Sequence, residues 1–227
     1  MTHSKMTPMA QTLQEIKKHW GIGLTGGMAS GKSTAGKILL KLGFHVVDAD
    51  QLVRQAMLPD TLGYQELVDL FGPSILHANG LVDRTALRTL VSQSEEKLKS
   101  LETVIHRHLD GILEDNLRQN KIFAQPHFWF YEASLLIELG RHQDYWETWL
   151  LVAPREIQFT RVQDNRGLTS SEVGPLLARQ WNSDQQIPFA TFVLENKGSI
   201  TDLEQGLALQ ASRLRKIEHD REKTRQK

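Results

Sequence analysis

The sharpest chemical signal in the chain is Gly26-Gly-Met-Ala-Ser-Gly-Lys-Ser33, spaced as G-x-x-x-x-G-K-[ST]. Phosphate oxygens need several donors converging within a few ångströms. Glycines let the backbone curl, so the consecutive N–H groups of Gly27, Met28, Ala29, Ser30 and Gly31 can turn inward as a nest. A helix that follows adds its positive N-terminal end to the same anion. Lys32 brings a full charge to the β- and γ-phosphates, and the Ser33 hydroxyl is placed to ligate Mg²⁺. Thr34 is open to the same metal role or to simply beginning the helix. The bland alternative is a chance glycine turn, but a strand precedes this loop and a helix follows it, which is the context a phosphate cradle requires.

A second cluster is Asp48-Ala-Asp50, with Arg54 one helical turn beyond. It follows a short β-branched run, at the carboxyl end of a strand, where ligands bind in open α/β sheets. Ionised carboxylates there suit two tasks: steadying Mg²⁺ through water and accepting the proton of an attacking hydroxyl. Equally, Asp50 is a good N-cap for the next helix. Arg54 is either a surface ion pair of little energetic worth or a fork for a substrate phosphate.

Two further arginines, Arg161 and Arg166, lie on a polar segment that runs through Gly167 to Ser171. Such a segment is a solvated helix face, or a hinged lid that carries positive charge onto a migrating phosphoryl group. Arg84 follows a turn and opens a helix, where exposed arginines are usually solvated. His106 stands at helical spacing from Glu102 and defaults to a hydrogen-bonding histidine. The aromatic run Phe128 to Tyr131, and Trp146, Trp149 and Trp181, read as core or interface rather than as a base-stacking platform.

These residues need elements to hold them. Trp20–Thr25 reads as a buried strand, Thr34–Leu42 as a helix ended by Gly43, and Phe44–Asp48 as a second strand. Asp50 to Met57 starts another helix. From Gly63 to Leu117 the pattern is helical, broken by turns at Gly72-Pro73 and Asn79-Gly80, with Val91–Leu117 as one long helix or two parted near Gly111. Strands are expected at Phe128–Ile137, Thr148–Val152 and Thr191–Leu194, and helices at Pro154–Asn165 and Ser170–Trp181. Ser199 or Thr201 caps a final helix whose charged tail from Arg213 should fray. The alternation argues for an α/β fold: a P-loop NTPase-type, mostly parallel sheet flanked by helices. Residues 1–19 read as a polar extension, helical near its end or disordered.

Composition narrows the classes. The 227 residues carry 27 basic and 27 acidic side chains, so no whole-surface attraction to nucleic acid or anionic membrane is expected. No run is apolar enough to span a bilayer and no apolar leader precedes the first strand, which together suggest a cytoplasmic protein. With no cysteine, disulfide and thiolate chemistry are excluded.

With these residues in place, the chain resembles the bacterial-type dephospho-CoA kinases from about Ile22 to Leu209. The likeness rests on Gly23-Leu-Thr-Gly-Gly-Met-Ala-Ser-Gly-Lys-Ser-Thr34 and on Asp48-Ala-Asp50 with Arg54. In order follow Phe71-Gly72, Gly80, Asp83-Arg84, Leu87, Leu101-Glu102 with His106, and Leu135-Leu136 with Glu138. Gln158 with Arg161 and Arg166, Gln180, and Asn196 with Gly198 complete the set. The resemblance implies transfer of the ATP γ-phosphate to the ribose 3′-hydroxyl of dephospho-CoA, with ATP and Mg²⁺ as cofactors. It implies a core (about 20–60, 121–153 and 188–215), a helical CoA-side lobe (about 61–120) and a helical lid (about 154–187). It makes Asp50 the general base and brings Arg161 and Arg166 near the phosphates. Asn196 to Gly198 would lie near the adenine. Asp48, Arg54, Arg84 and His106 would serve the acceptor. The expected state is a monomer or weak homo-oligomer. The chain departs from the family pattern at Glu132 and Ser134 (commonly Asp and Pro), at Arg107 (Pro) and at Thr191 (Asp).

Two rival readings fit the same residues. A nucleoside or nucleoside monophosphate kinase would share the loop, the base and the lid, and differ in the acceptor pocket. A guanine-reading switch normally carries Asn-Lys-x-Asp, and Asn196-Lys-Gly-Ser199 lacks that carboxylate.

Overall fold

The computed structural model describes residues 11–166 and 180–225. The chain divides into two compact units, one of Met1–Val47 with Lys121–Lys227, the other of Asp48–Asn120. The first is built on five strands: β1 (Gly21–Gly26), β2 (His45–Asp48), β3 (Trp129–Glu132), β4 (Glu147–Val152) and β5 (Phe192–Glu195). Their order is β2-β3-β1-β4-β5. β1 runs parallel to β3 and to β4, and β4 parallel to β5. Every residue of central β1 is buried, as a strand covered on both faces requires.

Alternation along the strands sorts the aromatic side chains by face. Phe130 meets Phe44 and Trp149, and Trp149 meets Phe192, with ring centroids 5.4, 5.0 and 5.4 Å apart. On the opposite face of β3, Trp129 and Tyr131 pack on Tyr145 at 6.1 and 5.5 Å. The aromatic run is therefore core, as its composition suggested. α2 (Lys32–Lys41) packs on β1, on β3 and on the last helix. β3 is shorter than the apolar run from Phe128 to Ile137. The Ala133 N–H still bonds the Leu24 carbonyl at 3.0 Å, but the chain then turns. Leu136 and Ile137 stay buried from that turn, so their hydrophobicity reflects packing rather than pairing.

The end of the expected polar extension is α1 (Leu13–Trp20), opened by a capping box between Thr12 and Glu15. It buries Ile16, Lys17 and Trp20. Residues 1–10 lie outside the described residues. At the other end, the expectation of a fraying tail is corrected. The last helix, α9 (Ile200–Arg225), continues well past Arg213. Several of its charges find partners. Arg213 forks onto the carboxylate of Glu147 at 2.9 and 2.6 Å. The Arg221 guanidinium lies 4.7 Å from the Trp20 ring and 5.1 Å from those of Phe128 and Trp146. It also donates to the His19 carbonyl at 2.7 Å. Those bonds to Glu147 outweigh partial burial and raise the Arg213 pKa. α7 (Arg155–Arg166) and the short α8 (Ser183–Gln186) precede β5. The helix expected over 170–181 lies largely outside the described residues.

The second unit is helical: α3 (Ala49–Ala56), α4 (Leu62–Phe71), α5 (Arg84–Val91) and α6 (Glu95–Gln119). Its turns at Gly72-Pro73 and Asn79-Gly80 fall where expected, joined by an isolated antiparallel bridge between Leu76 and Val82. α6 runs unbroken for 25 residues through Gly111. A stripe of Val104, Ile105, Leu109, Leu113 and Leu117 is buried along it. That continuous packing outweighs the ~1 kcal/mol that one glycine costs a helix. α3 and α4 both pack on α6.

Candidate active site

The loop between β1 and α2 is curled by residues in left-handed conformations. Gly26 has φ 148°, Ala29 57° and Gly31 102°. At Gly31, the N-cap of α2, there is a second constraint: a Cβ would collide with the amide nitrogen of Asn196. Glycine is required there on both counts. α2 begins directly at Lys32, so the helix N-terminus and the loop amides form one continuous turn, the arrangement that suits an anion.

The protein's own groups hold this turn in shape. The Lys32 ammonium donates to the carbonyls of Gly26 and Gly27 at 2.6 and 3.0 Å. The Met28 N–H donates to Gln180 Oε1 at 2.7 Å. Ser33 Oγ donates to Glu132 Oε1 at 2.8 Å. Asn196, only 6% exposed, donates its side-chain amide to the Ser30 carbonyl at 2.8 Å. Arg161 reaches from α7 to the Ala29 carbonyl at 3.3 Å and to Asn196 at 3.4 Å. Next to it in the chain, buried Val162 packs with Phe159 against Met28 and Ala29.

A cleft of about 420 Å³ gathers much of the expected donor-side set. Ala29, Gly31, Lys32, Ser33 and Thr34 line it from the loop, and Arg161, Asn196 and Gly198 from α7 and the β5–α9 connection. Ile200 and Leu203 add an apolar wall, the mixture a nucleotide needs: charge for phosphates and a dry surface for a base. Gly27 and Met28 line an adjoining pocket with Gln158 and Gln180. Ser30 is buried beneath the turn. Asn196 is committed to the loop through its amide, so it braces the cradle. Arg166 ends α7, and its side chain lies outside the described residues.

The remaining expected residues belong to the helical unit. There Asp48 takes the cap of α3, its Oδ1 accepting the Asp50 N–H at 2.8 Å. The cap reading of Asp50 is thereby corrected: Asp50 sits in the first turn with an exposed side chain. Arg54 is exposed in the last turn of the same helix. Arg84 is the exposed first residue of α5, behind the cap Asp83. His106 is exposed on α6 beside Glu102 and Thr103.

Sequence reasoning passed over the roles of two groups. Glu132 ends β3, adjacent to the strand that feeds the loop. An acidic residue closing an apolar strand was the available signal. Gln180 lies 152 residues from its partner Met28, and nothing local marks it as a partner of that amide.

Residues 20–202 match the family model for dephospho-CoA kinase. A dephospho-CoA kinase of Geobacter sulfurreducens is 38% identical over 183 residues, covering 81% of this chain and 92% of its own. One from Aquifex aeolicus is 33% identical over 181 residues, covering 80% and 90%. Among solved structures, a Thermus thermophilus protein superposes with TM-score 0.75 at 35% identity, covering 86% of this chain and 97% of its own. The dephospho-CoA kinase of Campylobacter jejuni, 23% identical, shares the fold with TM-score 0.62 over 88% of this chain and 98% of its own. With its curled loop, its five-stranded sheet and a match across most of its length, the chain belongs to the dephospho-CoA kinase family.

Proposed function

We propose that this chain transfers the γ-phosphoryl group of ATP to the ribose 3′-hydroxyl of dephospho-CoA, giving coenzyme A and ADP, the last step of coenzyme A synthesis. The observation that carries this is the cleft in which Lys32, Ser33 and Arg161 converge on a curled turn at the head of α2, in a chain of this family. Phosphoryl transfer asks little covalent chemistry of a protein. It asks for alignment and for charge where charge develops. Lys32 moves from the loop carbonyls to the β- and γ-phosphate oxygens, and Arg161 adds a second cation from α7, read as the first helix of the lid. Arg166 is assigned to the same set. Asn196 and Gly198 hold the base end.

The donor set near Ser33 fits Mg²⁺. A hydroxyl and a carboxylate, in hydrogen-bond contact through Ser33 Oγ and Glu132, are hard oxygen donors suited to that ion rather than to a softer metal. Ser33 would hold the ion and Glu132 a water of its shell. When bound, the ion neutralises charge on the β- and γ-phosphate oxygens.

Asp50 accepts the proton of the ribose hydroxyl. Support comes from family membership and from Asp48 taking the cap, which leaves the Asp50 carboxylate exposed to an incoming alcohol. Asp48, Arg54, Arg84 and His106 are assigned to the acceptor, whose phosphates suit guanidinium forks. No described helix is long and apolar enough to cross a membrane. We assign a cytoplasmic monomer or weak homo-oligomer without nucleic-acid or membrane partners. The test is ADP release from ATP and Mg²⁺ across a panel of dephospho-CoA, nucleosides and nucleoside monophosphates. Dephospho-CoA should give by far the fastest release. Turnover confined to nucleosides or their monophosphates would overturn the assignment.

A further inference from the structure

Gly36 lies inside α2, where glycine is a poor choice. Its backbone needs no left-handed conformation, and a glycine in mid-helix is less stable than alanine. What surrounds it supplies the reason. A methyl group at position 36 would stand 2.6 Å from Glu132 Oε2 and 3.7 Å from its carboxyl carbon, with Val46 Cγ1 at 3.6 Å. The same carboxylate accepts the Ser33 hydroxyl through its other oxygen at 2.8 Å. Glutamate is the longer of the two acidic side chains, and the missing Cβ of Gly36 leaves room for it. By accepting the hydroxyl's hydrogen bond, the carboxylate leaves the lone pairs of Ser33 Oγ to face a cation.

We propose that Gly36 and Glu132 are a matched pair of positioning residues: the bare backbone at position 36 lets a glutamate at the end of β3 hold the Ser33 hydroxyl for the magnesium ion of the bound nucleotide. This rests on the reading of the cleft as a Mg·ATP site and is independent of the acceptor. An alanine at 36 meets only the end of a flexible side chain, so the helix survives and the carboxylate swings away.

The test is calorimetric binding of a non-hydrolysable ATP analogue with and without Mg²⁺, no acceptor present, for wild type, Gly36→Ala, Glu132→Asp and the double variant. Gly36→Ala should cut the magnesium-dependent gain in affinity about tenfold, the scale of losing a group that orients a metal ligand. Magnesium-free affinity and Tm should not fall. In the Glu132→Asp background, alanine at 36 should add little, because the shorter side chain clears the methyl and the two losses are not additive. Glu132→Ala removes the same contact without touching the helix and should show the same magnesium-specific loss. A full magnesium gain in Gly36→Ala or in Glu132→Ala overturns the proposal. Simple addition of the two losses, or an equal loss with and without the ion, does so as well. Failure of the wild type to bind the analogue would count against the nucleotide site itself.

Discussion

The loop at the head of α2 and the head of α3 are both helix starts rich in polar residues, yet they are built in opposite ways. Around the loop four residues are engaged by partners distant in sequence: Met28 by Gln180, Ser33 by Glu132, Ser30 by Asn196, Ala29 by Arg161. At α3 the one cap is local, Asp48 to Asp50, and Asp50 and Arg54 are exposed. The first region is a shape maintained by the sheet and its helices, suited to an anion with fixed geometry. The second is a set of exposed charges on a short helix, which under the proposed function would meet the acceptor alcohol. A triphosphate can be gripped by preorganised backbone, whereas an acceptor hydroxyl needs only one well-aimed carboxylate.

The contrast can be broken at several points. Lys32→Ala should have the largest effect, lowering turnover by more than ~10³, since it removes the full charge that the loop itself brings to the phosphates; near-normal activity would mean the loop holds no triphosphate. Asp50→Asn should lower kcat by ~10² to 10³ while ATP affinity stays within about twofold, the mark of a general base. Equal losses in both would make Asp50 structural. Asn196→Ala leaves a buried carbonyl unsatisfied and loosens the turn, so KM for ATP should rise about tenfold with kcat less affected. Arg84→Ala should raise KM for the acceptor severalfold and shift stability by less than ~0.5 kcal/mol, as expected of an exposed charge. A clear drop in Tm would show that the helical unit depends on that side chain for its structure.

The smallest effect concerns acid. Asp83 caps α5, and donation chiefly from the Ala86 N–H holds its carboxyl below the ordinary 3.8. Asp202 pairs with Ser199 at the head of α9, and the Ser199 hydroxyl lowers it likewise. Both folded-state pKa values are depressed, so each contribution is complete above the unfolded value and is lost as pH falls through the lower folded one. Asp202→Asn and Asp83→Asn should each flatten slightly the loss of Tm below about pH 4. An unchanged acid limb in both would show that these caps contribute nothing.

The local features were legible in the sequence. The cradle, α2 and the turn at Gly43 follow from spacing over a few residues, and the strand–helix alternation gave the parallel sheet. Long-range partners were not. Glu132 and Ser33 are 99 residues apart, and their contact depends on β3 lying beside β1, an order no local pattern encodes. β3 stops short of the apolar run because Leu136 and Ile137 are apolar for the sake of a buried turn. The tail from Arg213 looks solvated in sequence because its partners, Glu147 and three aromatic rings, are distant along the chain.

That aromatic nest under Arg221 ties the two ends of the described chain together. Trp20 closes α1, Phe128 precedes β3, and the cation above them comes from the last turns of α9. Residues some two hundred positions apart thus share a single stack. The first and last helices should therefore exchange their amide protons as one cooperative block, on a schedule separate from that of the nucleotide cleft.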